Sequence, residues 1–211
     1  MPLDPSIRTV LNRTKGFMPD IEGEALAQAA RLAWADLPRL PIVEVGSYCG
    51  RSTLWLGSVS LDLGETVVTV DHHRGSAETQ AGWEHHDPEV VDRRTGLMDT
   101  MPFLRATLHD AGLEDHVIAV VGASALVASI WSTPAAMVFI DGGHGVEPAI
   151  ADRQGWVPHV APGGLLAIHD VFPDPADGGR PPYECIYLPV LESGEFDEVS
   201  ATGSLRVLRR R

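Results

Sequence analysis

The chain has 211 residues, 44% of them hydrophobic and 21% charged, which suits a single α/β domain over residues 1–211 and excludes a disordered chain. Its formal net charge of −13 argues against a nucleic-acid partner, because proteins that bind phosphate backbones present a basic face or stripe. Two cysteines, no charged-then-apolar leader and no apolar stretch of about 18 residues favour a cytoplasmic protein with no membrane contact.

The first predicted element is an amphipathic helix over residues 20–37, within an N-terminal helical segment that spans residues 1–38. Pro38 and Pro41 end this helix. The next stretch, residues 41–59, runs from apolar residues through a glycine-bearing turn into helix-compatible residues, which predicts a strand, a loop and a helix. The predicted buried face of the first helix consists of residues at near-helical spacing, namely Ile21, Leu26, Ala29, Ala30 and Ala33.

Short apolar runs then alternate with helical candidates. Continuous apolar runs are typical of strands that are covered on both faces of a parallel sheet. The alternation predicts a Rossmann-like α/β fold with a doubly wound, mostly parallel sheet. The predicted strands cover 66–71, 116–122, 135–143 and 163–171, and the predicted helices cover 97–112, 124–131 and 146–159.

The last part of the chain has a different pattern. A helix is predicted near 183–193, followed by an antiparallel hairpin of residues 195–200 and 204–210 that turns at 201–203. The arginines at 209–211 are expected to form a solvated tail. Residues 72–96 lack a clear period and are expected to form a lid-like insertion, since a loop of that length in a compact domain is usually functional or disordered.

A glycine loop follows the first predicted strand, with the sequence Glu-Val-Gly-Ser-Tyr-Cys-Gly at 44–50. A dinucleotide site would require G-x-G-x-x-G, but Tyr48 stands where the middle glycine would be. The G-x-x-x-G spacing permits a tight turn beneath a nucleoside-type ligand without phosphates, or simply an ordinary strand-to-helix turn. Asp71 ends the next strand, where it can accept hydrogen bonds from ribose hydroxyls or cap a helix.

Three strings of residues resemble a known family. They are VEVGSYCGRST at 43–53, VVTVD at 67–71 and VFIDGGHGVEPAIADRQGWVPHVAPGGLLAIHDV at 138–171. Together they resemble the class I O-methyltransferases that use S-adenosylmethionine, in particular the metal-dependent sugar and macrolide enzymes. The resemblance covers about residues 40–172.

The resemblance implies a set of cofactor-binding residues. Gly46, Ser47 and Gly50 would line the methionine part of S-adenosylmethionine, while Asp71 would hold its ribose. The adenine would lie near Ala123 and Ser124. The complete implied set is Glu44, Gly46, Ser47, Tyr48, Gly50, Ser52, Asp71, His72, Ala123, Ser124 and Asp141.

A metal site is expected at the ends of two strands that should be neighbours. Asp141 ends one strand and the pair His169-Asp170 ends the other. Carboxylate oxygens are the ligands that Mg²⁺ prefers. In the related catechol-type methyltransferases an Asp and a later Asp-Asn pair occupy the matching strand ends, so the resemblance implies that Asp141, His169 and Asp170 hold Mg²⁺. Alternatively, the two aspartates only cap helices or order the loop.

His144 is the candidate catalytic base. It lies three residues after Asp141, where the catechol-type enzymes carry the basic residue that removes the hydroxyl proton. Histidine suits this task because its unperturbed pKa is about 6.5. The alternative is a hydrogen-bonded structural histidine. The histidines at 72, 73, 85 and 86, together with Trp83, are expected to belong to a polar lid over the substrate rather than to a zinc site.

The expected reaction is methyl transfer to a hydroxyl of a sugar, with a short mannoside methylated at O1 as the favoured acceptor and a homodimer as the expected assembly. A phenolic, catechol or macrolide hydroxyl is the alternative acceptor. A nicotinamide-dependent oxidoreductase would need the missing glycine and a Tyr-Lys pair, whereas the sole lysine, Lys15, precedes the domain. A non-catalytic binding module would have no use for Asp141, His144 and Asp170 at neighbouring strand ends.

Overall fold

The computed structural model of the protein describes residues 3–76 and 86–211. Its main sheet has seven strands in the order β5-β2-β1-β6-β7-β9-β8. Strands β1, β2, β5, β6 and β7 run parallel, and β9 runs antiparallel to both of its neighbours. Strands β3 and β4 form a separate antiparallel pair. The strands are β1 (Ile42–Val45), β2 (Val67–Asp71), β3 (Val91–Asp92), β4 (Leu97–Met98), β5 (Val117–Val121), β6 (Ala135–Ile140), β7 (Val160–Ile168), β8 (Phe196–Thr202) and β9 (Leu205–Arg210).

Helices cover both faces of this sheet. Short 3₁₀ turns lie at Pro88–Val90 and Val157–His159, and a π-helical stretch at Pro182–Tyr187 leads into the last α-helix. The α-helices are α1 (Pro5–Leu11), α2 (Asp20–Asp36), α3 (Arg51–Leu63), α4 (Met101–Asp110), α5 (Ser124–Ile130), α6 (Val146–Trp156) and α7 (Leu188–Glu192).

Successive residues of each central strand contribute to opposite hydrophobic layers. Phe139 packs into the layer of α1 to α4, while its neighbour Ile140 packs into the layer of α5 to α7. Both faces are therefore apolar, which explains why the strands read as continuous apolar runs. The predicted Rossmann-like, mostly parallel α/β fold with an antiparallel C-terminal hairpin is confirmed.

Several predicted boundaries need correction. The helix expected from residue 97 begins at Met101, because residues 97–98 pair with β3 instead. The region 183–193 contains the π-helical stretch followed by α7 rather than one regular helix. The hairpin turns at 203–204, since residues 201–202 still belong to β8. Helix α1 lies within the predicted N-terminal helical segment but was not predicted as a separate helix, although Asp4 as its N-cap and Pro5 at its first position are typical start signals.

The C-terminal arginines are not a solvated tail. Arg209 bonds the carboxylate of Asp36 and a backbone carbonyl, and Arg210 donates to the carbonyl oxygens of residues 158 and 160. Arg211 forms a bidentate ion pair with Asp197. Arg209 and Arg210 are the last residues of β9 and Arg211 follows it, and the three side chains attach this end of the strand to the surrounding elements.

The buried face of α2 is also rotated from its predicted position. Ile21 is 65% exposed, whereas Glu22 is 5% exposed and lies on the same buried face as Leu26, Ala30 and Ala33. The carboxylate of Glu22 thus faces the sheet, where it meets the ring of His169. No helix of the described residues is both long and apolar enough to cross a bilayer. The predictions for Trp83 and His85 lie outside the described residues.

Candidate active site at the carboxyl edge of the sheet

The predicted functional residues gather at one edge of the sheet. Parallel strands end at the same edge, so β1, β2, β6 and β7 bring the loop after Val45, Asp71, Asp141 and His169 together. Strand β9 runs the other way and begins there, next to Ser204. The strand ends that the sequence identified therefore form one continuous polar edge.

The glycine loop between β1 and α3 has an unusual backbone. Gly46, Tyr48 and Gly50 all have positive φ, at 93°, 48° and 94°. A Cβ on Gly46 would stand 2.2 Å from the carbonyl oxygen of Asp141, so only glycine lets this loop approach the end of β6. The hydroxyl of Ser47 is buried and has no hydrogen-bond partner among the described residues. A buried polar group in that condition is suited to bind a ligand.

Asp71 binds the backbone of the same loop through its carboxylate. Its Oδ2 accepts hydrogen bonds from the backbone N–H groups of Ser47 and Tyr48, at 3.1 and 2.9 Å. Its Oδ1 accepts one from the N–H of His73 at 2.7 Å. Each carboxylate oxygen can accept more than one hydrogen bond, so Asp71 can support the loop and still accept a ligand hydroxyl. His72, next to it, is exposed.

Glu44 lies beneath the loop and is fully buried. Its two oxygens accept hydrogen bonds from the hydroxyls of Ser52 and Thr53, both at 2.6 Å. Burial outweighs these hydrogen bonds and raises the pKa of Glu44 to about 7. Glu44 and Ser52 thus join β1 to α3 behind the loop, and a direct contact of either with the cofactor stays a prediction.

We expect Glu44→Gln to change how stability depends on pH. A carboxyl group whose pKa is raised on folding contributes stability below its unfolded pKa of 4.5, and this contribution is lost as the pH rises through about 7. The shift corresponds to about 3 kcal/mol. Urea unfolding at pH 5, 7 and 9 should show the parent losing stability relative to the variant as pH rises. Parallel curves for the two proteins would contradict the assignment.

The expected adenine region lies at the start of α5. Residue 122 donates to the carbonyl oxygen of Asp71, so Ala123 and Ser124 lie beside the end of β2. The hydroxyl of Ser124 donates to Asp152 and accepts from Nε1 of Trp156. This hydroxyl already makes two hydrogen bonds within the protein, and contact of Ala123 and Ser124 with an adenine stays a prediction.

Asp141, His144 and Asp170 form a compact group of possible metal ligands. One donor atom from each lies within 4.8 Å of the others. Nε2 of His144 is 2.9 Å from Oδ2 of Asp170 and 4.0 Å from Oδ1 of Asp141. Asp170 has a φ of 54°, in the left-handed region that few residues other than glycine adopt. The sequence had placed these three residues at one site, and the structure brings them together.

His169 occupies a different position from the one expected of a metal ligand. It is buried, with Nδ1 3.0 Å from Oδ1 of Asp141 and Nε2 2.6 Å from Oε2 of Glu22. Both ring nitrogens therefore face carboxylates, and binding a metal would require one of these bonds to break. The geometry favours His144 over His169 as the third donor beside the two aspartates. Sequence reasoning missed Glu22, whose signal was a carboxylate on the apolar face of α2.

The charges of this group depend on each other. Burial opposes ionisation of Asp141, but the positive charge of His169 and hydrogen bonds from His144 and His169 hold its pKa below the usual range. For Asp170, hydrogen bonds from the same histidines outweigh burial and lower the pKa well below the ordinary value. Burial would lower the pKa of His169, yet the surrounding carboxylates raise it strongly. The site thus holds ionised aspartates at neutral pH.

A segment before α2 closes the other side of the glycine loop, and sequence reasoning missed its role. Arg51, the first residue of α3, donates to the carbonyl oxygens of Leu11 and Met18. Lys15, in the same segment, forms an ion pair with Asp87 at 2.7 Å. Residues 11–18 are thereby fixed beside the loop. The sequence signal for this role was Lys15, the only lysine of the chain.

Comparison with known proteins places this arrangement in a family. Residues 43–171, well over half of the chain, match the sequence profile described as a methyltransferase domain. This stretch contains the glycine loop, the end of β2 and the whole Asp141, His144 and Asp170 group.

Solved structures share the fold over almost the entire chain. Cofactor-bound Rv0187 from MTB is 19% identical with a TM-score of 0.67, and the match covers 99% of this chain and 90% of that chain. An O-methyltransferase from Bacillus cereus in complex with SAH is 17% identical with a TM-score of 0.66, covering 100% and 93%. CalS11, a TDP-rhamnose 3'-O-methyltransferase of calicheamicin biosynthesis, is 16% identical with a TM-score of 0.60, covering 96% and 91%. From the profile match, the chain belongs to the methyltransferase-domain family, and the prediction of a methyltransferase is confirmed.

Proposed function

We propose that the protein transfers a methyl group from S-adenosylmethionine to a hydroxyl oxygen with the help of a divalent metal. The observation that carries this proposal is the group of Asp141, His144 and Asp170 directly beside a glycine loop. A methyl donor above the loop and an acceptor at the carboxylates would then be neighbours. Holding two reactants in this way supplies much of the rate of a bimolecular displacement.

The loop supports S-adenosylmethionine as the donor. Its backbone lacks the middle glycine of a dinucleotide site, and Ser47 offers a buried hydroxyl to a ligand. Asp71 lies at the end of β2 beside this loop, and its carboxylate has the chemistry to accept hydrogen bonds from ribose hydroxyls. SAH is the ligand of the Bacillus cereus enzyme that shares this fold. Lys15 is engaged with Asp87, so it is not placed to act in a Tyr-Lys pair of an oxidoreductase.

The residues at the carboxylates fit a hard divalent cation. Asp141 and Asp170 offer anionic oxygens within the distance that one ion spans, and the nitrogen of His144 in the same group is assigned to proton transfer. A bound Mg²⁺ would polarise the acceptor hydroxyl and orient it toward the donor. The alternative that these aspartates only cap helices is disfavoured, because their carboxylates face each other and the histidines rather than helix N-termini.

His144 has the geometry of a base oriented by a carboxylate. Nε2 of His144 lies 2.9 Å from Oδ2 of Asp170, so this carboxylate orients the ring and favours its protonated form. The acceptor hydroxyl gives its proton to the imidazole of His144 while its oxygen forms the new bond to carbon and the sulfur–carbon bond breaks. Asp170 then stabilises the resulting imidazolium. The products are a methyl ether and S-adenosylhomocysteine.

A sugar hydroxyl is the acceptor we favour, with a short mannoside methylated at O1 as the specific proposal. Sugar methylation is the activity of CalS11, which shares the fold. Phe17 and Tyr48 form an aromatic pair beside the loop, with ring centroids 5.7 Å apart, and Phe17 is 63% exposed. Such a surface suits the apolar face of a sugar ring, and equally the ring of a phenol.

The test of the function is a methyl-transfer screen over glycosides, catechols and macrolides, with and without Mg²⁺. We expect Mg²⁺-dependent transfer to a glycoside, mannosides included. Transfer only to catechols would replace the sugar assignment with the phenolic alternative. Calorimetry should show binding of SAH and none of NAD; the reverse result would indicate an oxidoreductase, and binding of SAH without any transfer would indicate a binding module.

Asp71→Ala should weaken the binding of SAH by about 1–3 kcal/mol, the cost of leaving hydroxyls or loop N–H groups without a charged acceptor. Because Asp71 also supports the loop, the titration is repeated with 2'-deoxy and 3'-deoxy analogues of SAH. The parent should lose affinity for the deoxy analogues, and the variant should not distinguish them from SAH. Equal discrimination in both proteins would mean that Asp71 supports the loop without holding the ribose.

A further inference from the structure

The two edges of the main sheet differ in how they are protected from other chains. Strand β8, at one edge, carries the charged residues Asp197 and Glu198 and has a register shift between Glu198 and Ser200. Charges and irregularities of this kind discourage edge-to-edge pairing. Strand β5, at the other edge, has the sequence Val-Ile-Ala-Val-Val and pairs with β2 in unbroken register, and no strand of the described residues lies on its outer side. The β5 edge therefore presents a regular row of backbone N–H and C=O groups to another strand.

Large aliphatic side chains surround the β5 edge. Ile118 and Val121 of β5 and Leu126 and Ile130 of α5 are each 55–80% exposed. We call these four residues the edge patch. Exposed apolar side chains are ordinary when they are scattered, but a contiguous group of them marks a site of interaction.

The orientation of α5 brings its part of the edge patch to β5. Ala128 of α5 packs against α6, since a Cβ on Gly155 of α6 would stand 2.8 Å from the Cβ of Ala128. Leu126 and Ile130 lie two positions before and after Ala128, and hence on the opposite side of the helix. Because α6 leads from β6 to β7, the side of α5 opposite α6 is the side nearest the β5 edge. The four side chains thus form one surface.

This surface lacks charge in a chain that carries a large net charge. No charged side chain occurs from Val117 to Ile140, a stretch that includes all of β5 and α5, although the formal net charge of the chain is −13. Two copies repel each other where their acidic surfaces meet, and the edge patch gives them a surface without that repulsion. A basic partner would be attracted to the acidic surface instead. The neutral edge therefore favours a second copy of the same chain as its partner.

We propose that two copies of the chain pair through β5, antiparallel about a twofold axis near Ala119, so that their two main sheets become continuous. A stable interface takes about 800 Å² from each partner. The edge patch supplies on the order of several hundred Å² of this area, and strand pairing adds backbone hydrogen bonds. The contact is closed, because it occupies β5 of both copies and β8 is protected, so it yields a dimer and not a filament. The inference depends neither on the metal nor on the methyl acceptor.

Sedimentation velocity of the full chain at micromolar concentrations tests this pairing. The parent should sediment as a dimer. In the proposed pairing the two copies of residue 118 are diagonal neighbours across the twofold axis, about 7–8 Å apart. Ile118→Lys then brings like charges together inside the interface and should raise the dissociation constant of the dimer by about 100-fold or more. The lysine also makes the net charge less negative, so general repulsion between copies cannot explain a weaker dimer.

Matched variants give the controls. Val199→Lys places the same charge on an exposed residue of β8, the opposite edge, and should dimerise like the parent. Ile118→Glu alone should be monomeric, but an equal mixture of Ile118→Lys and Ile118→Glu should recover the dimer, because opposite charges then meet. Ile130→Lys, on α5, should also weaken the dimer, and it decides the question if the variants at residue 118 do not fold.

A monomeric parent at these concentrations would overturn the proposal. A parent-like dimer formed by folded Ile118→Lys and Ile130→Lys would also overturn it, since the interface would then lie elsewhere. Dissociation caused by Val199→Lys would point to β8 instead. If the mixed variants at residue 118 stay monomeric although each is folded, β5 does not pair with itself about a twofold axis, and the proposal fails.

Discussion

Replacing His144 with alanine should lower kcat by about 10²- to 10⁴-fold, the usual contribution of a positioned base. The ring lies 2.9 Å from Oδ2 of Asp170, so the carboxylate fixes its orientation and stabilises its protonated form. An aliphatic hydroxyl is a poor nucleophile until it loses its proton, and His144→Ala removes the base that we propose accepts that proton. Steady-state assays at saturating donor and acceptor measure the effect.

Controls must separate a base from a metal ligand. A lost ligand would be compensated by more Mg²⁺, whereas a lost base would not, so the variant is assayed over a wide range of Mg²⁺ concentrations. Added imidazole should restore part of the rate if a base is missing. His109→Ala, which removes an exposed histidine paired with Glu114, should keep the parent rate. Full recovery of His144→Ala at high Mg²⁺ would show that His144 binds the metal instead.

Removal of divalent metal should abolish turnover, and Mg²⁺ should restore it. The two carboxylates of Asp141 and Asp170 are ionised and face the same space, so without a cation they would repel the developing charge on the acceptor oxygen. Polarisation of an oxygen by a metal supplies several kcal/mol. The assay uses protein treated with a chelator and then freed of it, before Mg²⁺ is added back.

Asp170→Asn is the matched variant for this experiment. Asparagine tolerates the positive φ of this position and keeps the shape of the side chain, but it removes one negative charge. The variant should need far more Mg²⁺ for half-maximal rate than the parent, while SAH binds both proteins alike. Full activity of the stripped parent would show that the aspartates only organise the loop.

The sequence was sufficient to predict which strand ends meet. Asp71, Asp141 and Asp170 each follow an apolar run, and parallel strands align such ends without knowledge of any side-chain contact. The tight turn after β1 was likewise predictable from the spacing of Gly46 and Gly50, and both residues have the positive φ that glycine adopts readily. These features depend on local pattern and on the fold class alone.

The partners of His169 could not be predicted in the same way. The bond between Glu22 and His169 joins residues 147 positions apart, and it depends on the rotation of α2. Ile21 and Glu22 differ by one position, and the apolar pattern favoured Ile21 for the core. The carboxylate is buried because it meets a cation there, which is a tertiary effect that outweighs hydrophobic pattern. The arginines at 209–211 were misread for a similar reason, since their acceptors lie on distant elements.

The position of β9 has a consequence for the order in which the protein folds. This strand follows every other strand in the sequence, yet it lies between β7 and β8. The turn that leads into it contains Ser204, whose N–H donates to Glu22, 182 residues away in the sequence. Contacts of such long range form late in folding, because the chain must first lose the entropy of closing the loop between them. During synthesis on the ribosome, a chain shorter than about 204 residues would therefore contain the glycine loop but lack the hydrogen bond from Ser204 to Glu22. The polar edge that carries the site would be complete only after β8 and β9 join the sheet.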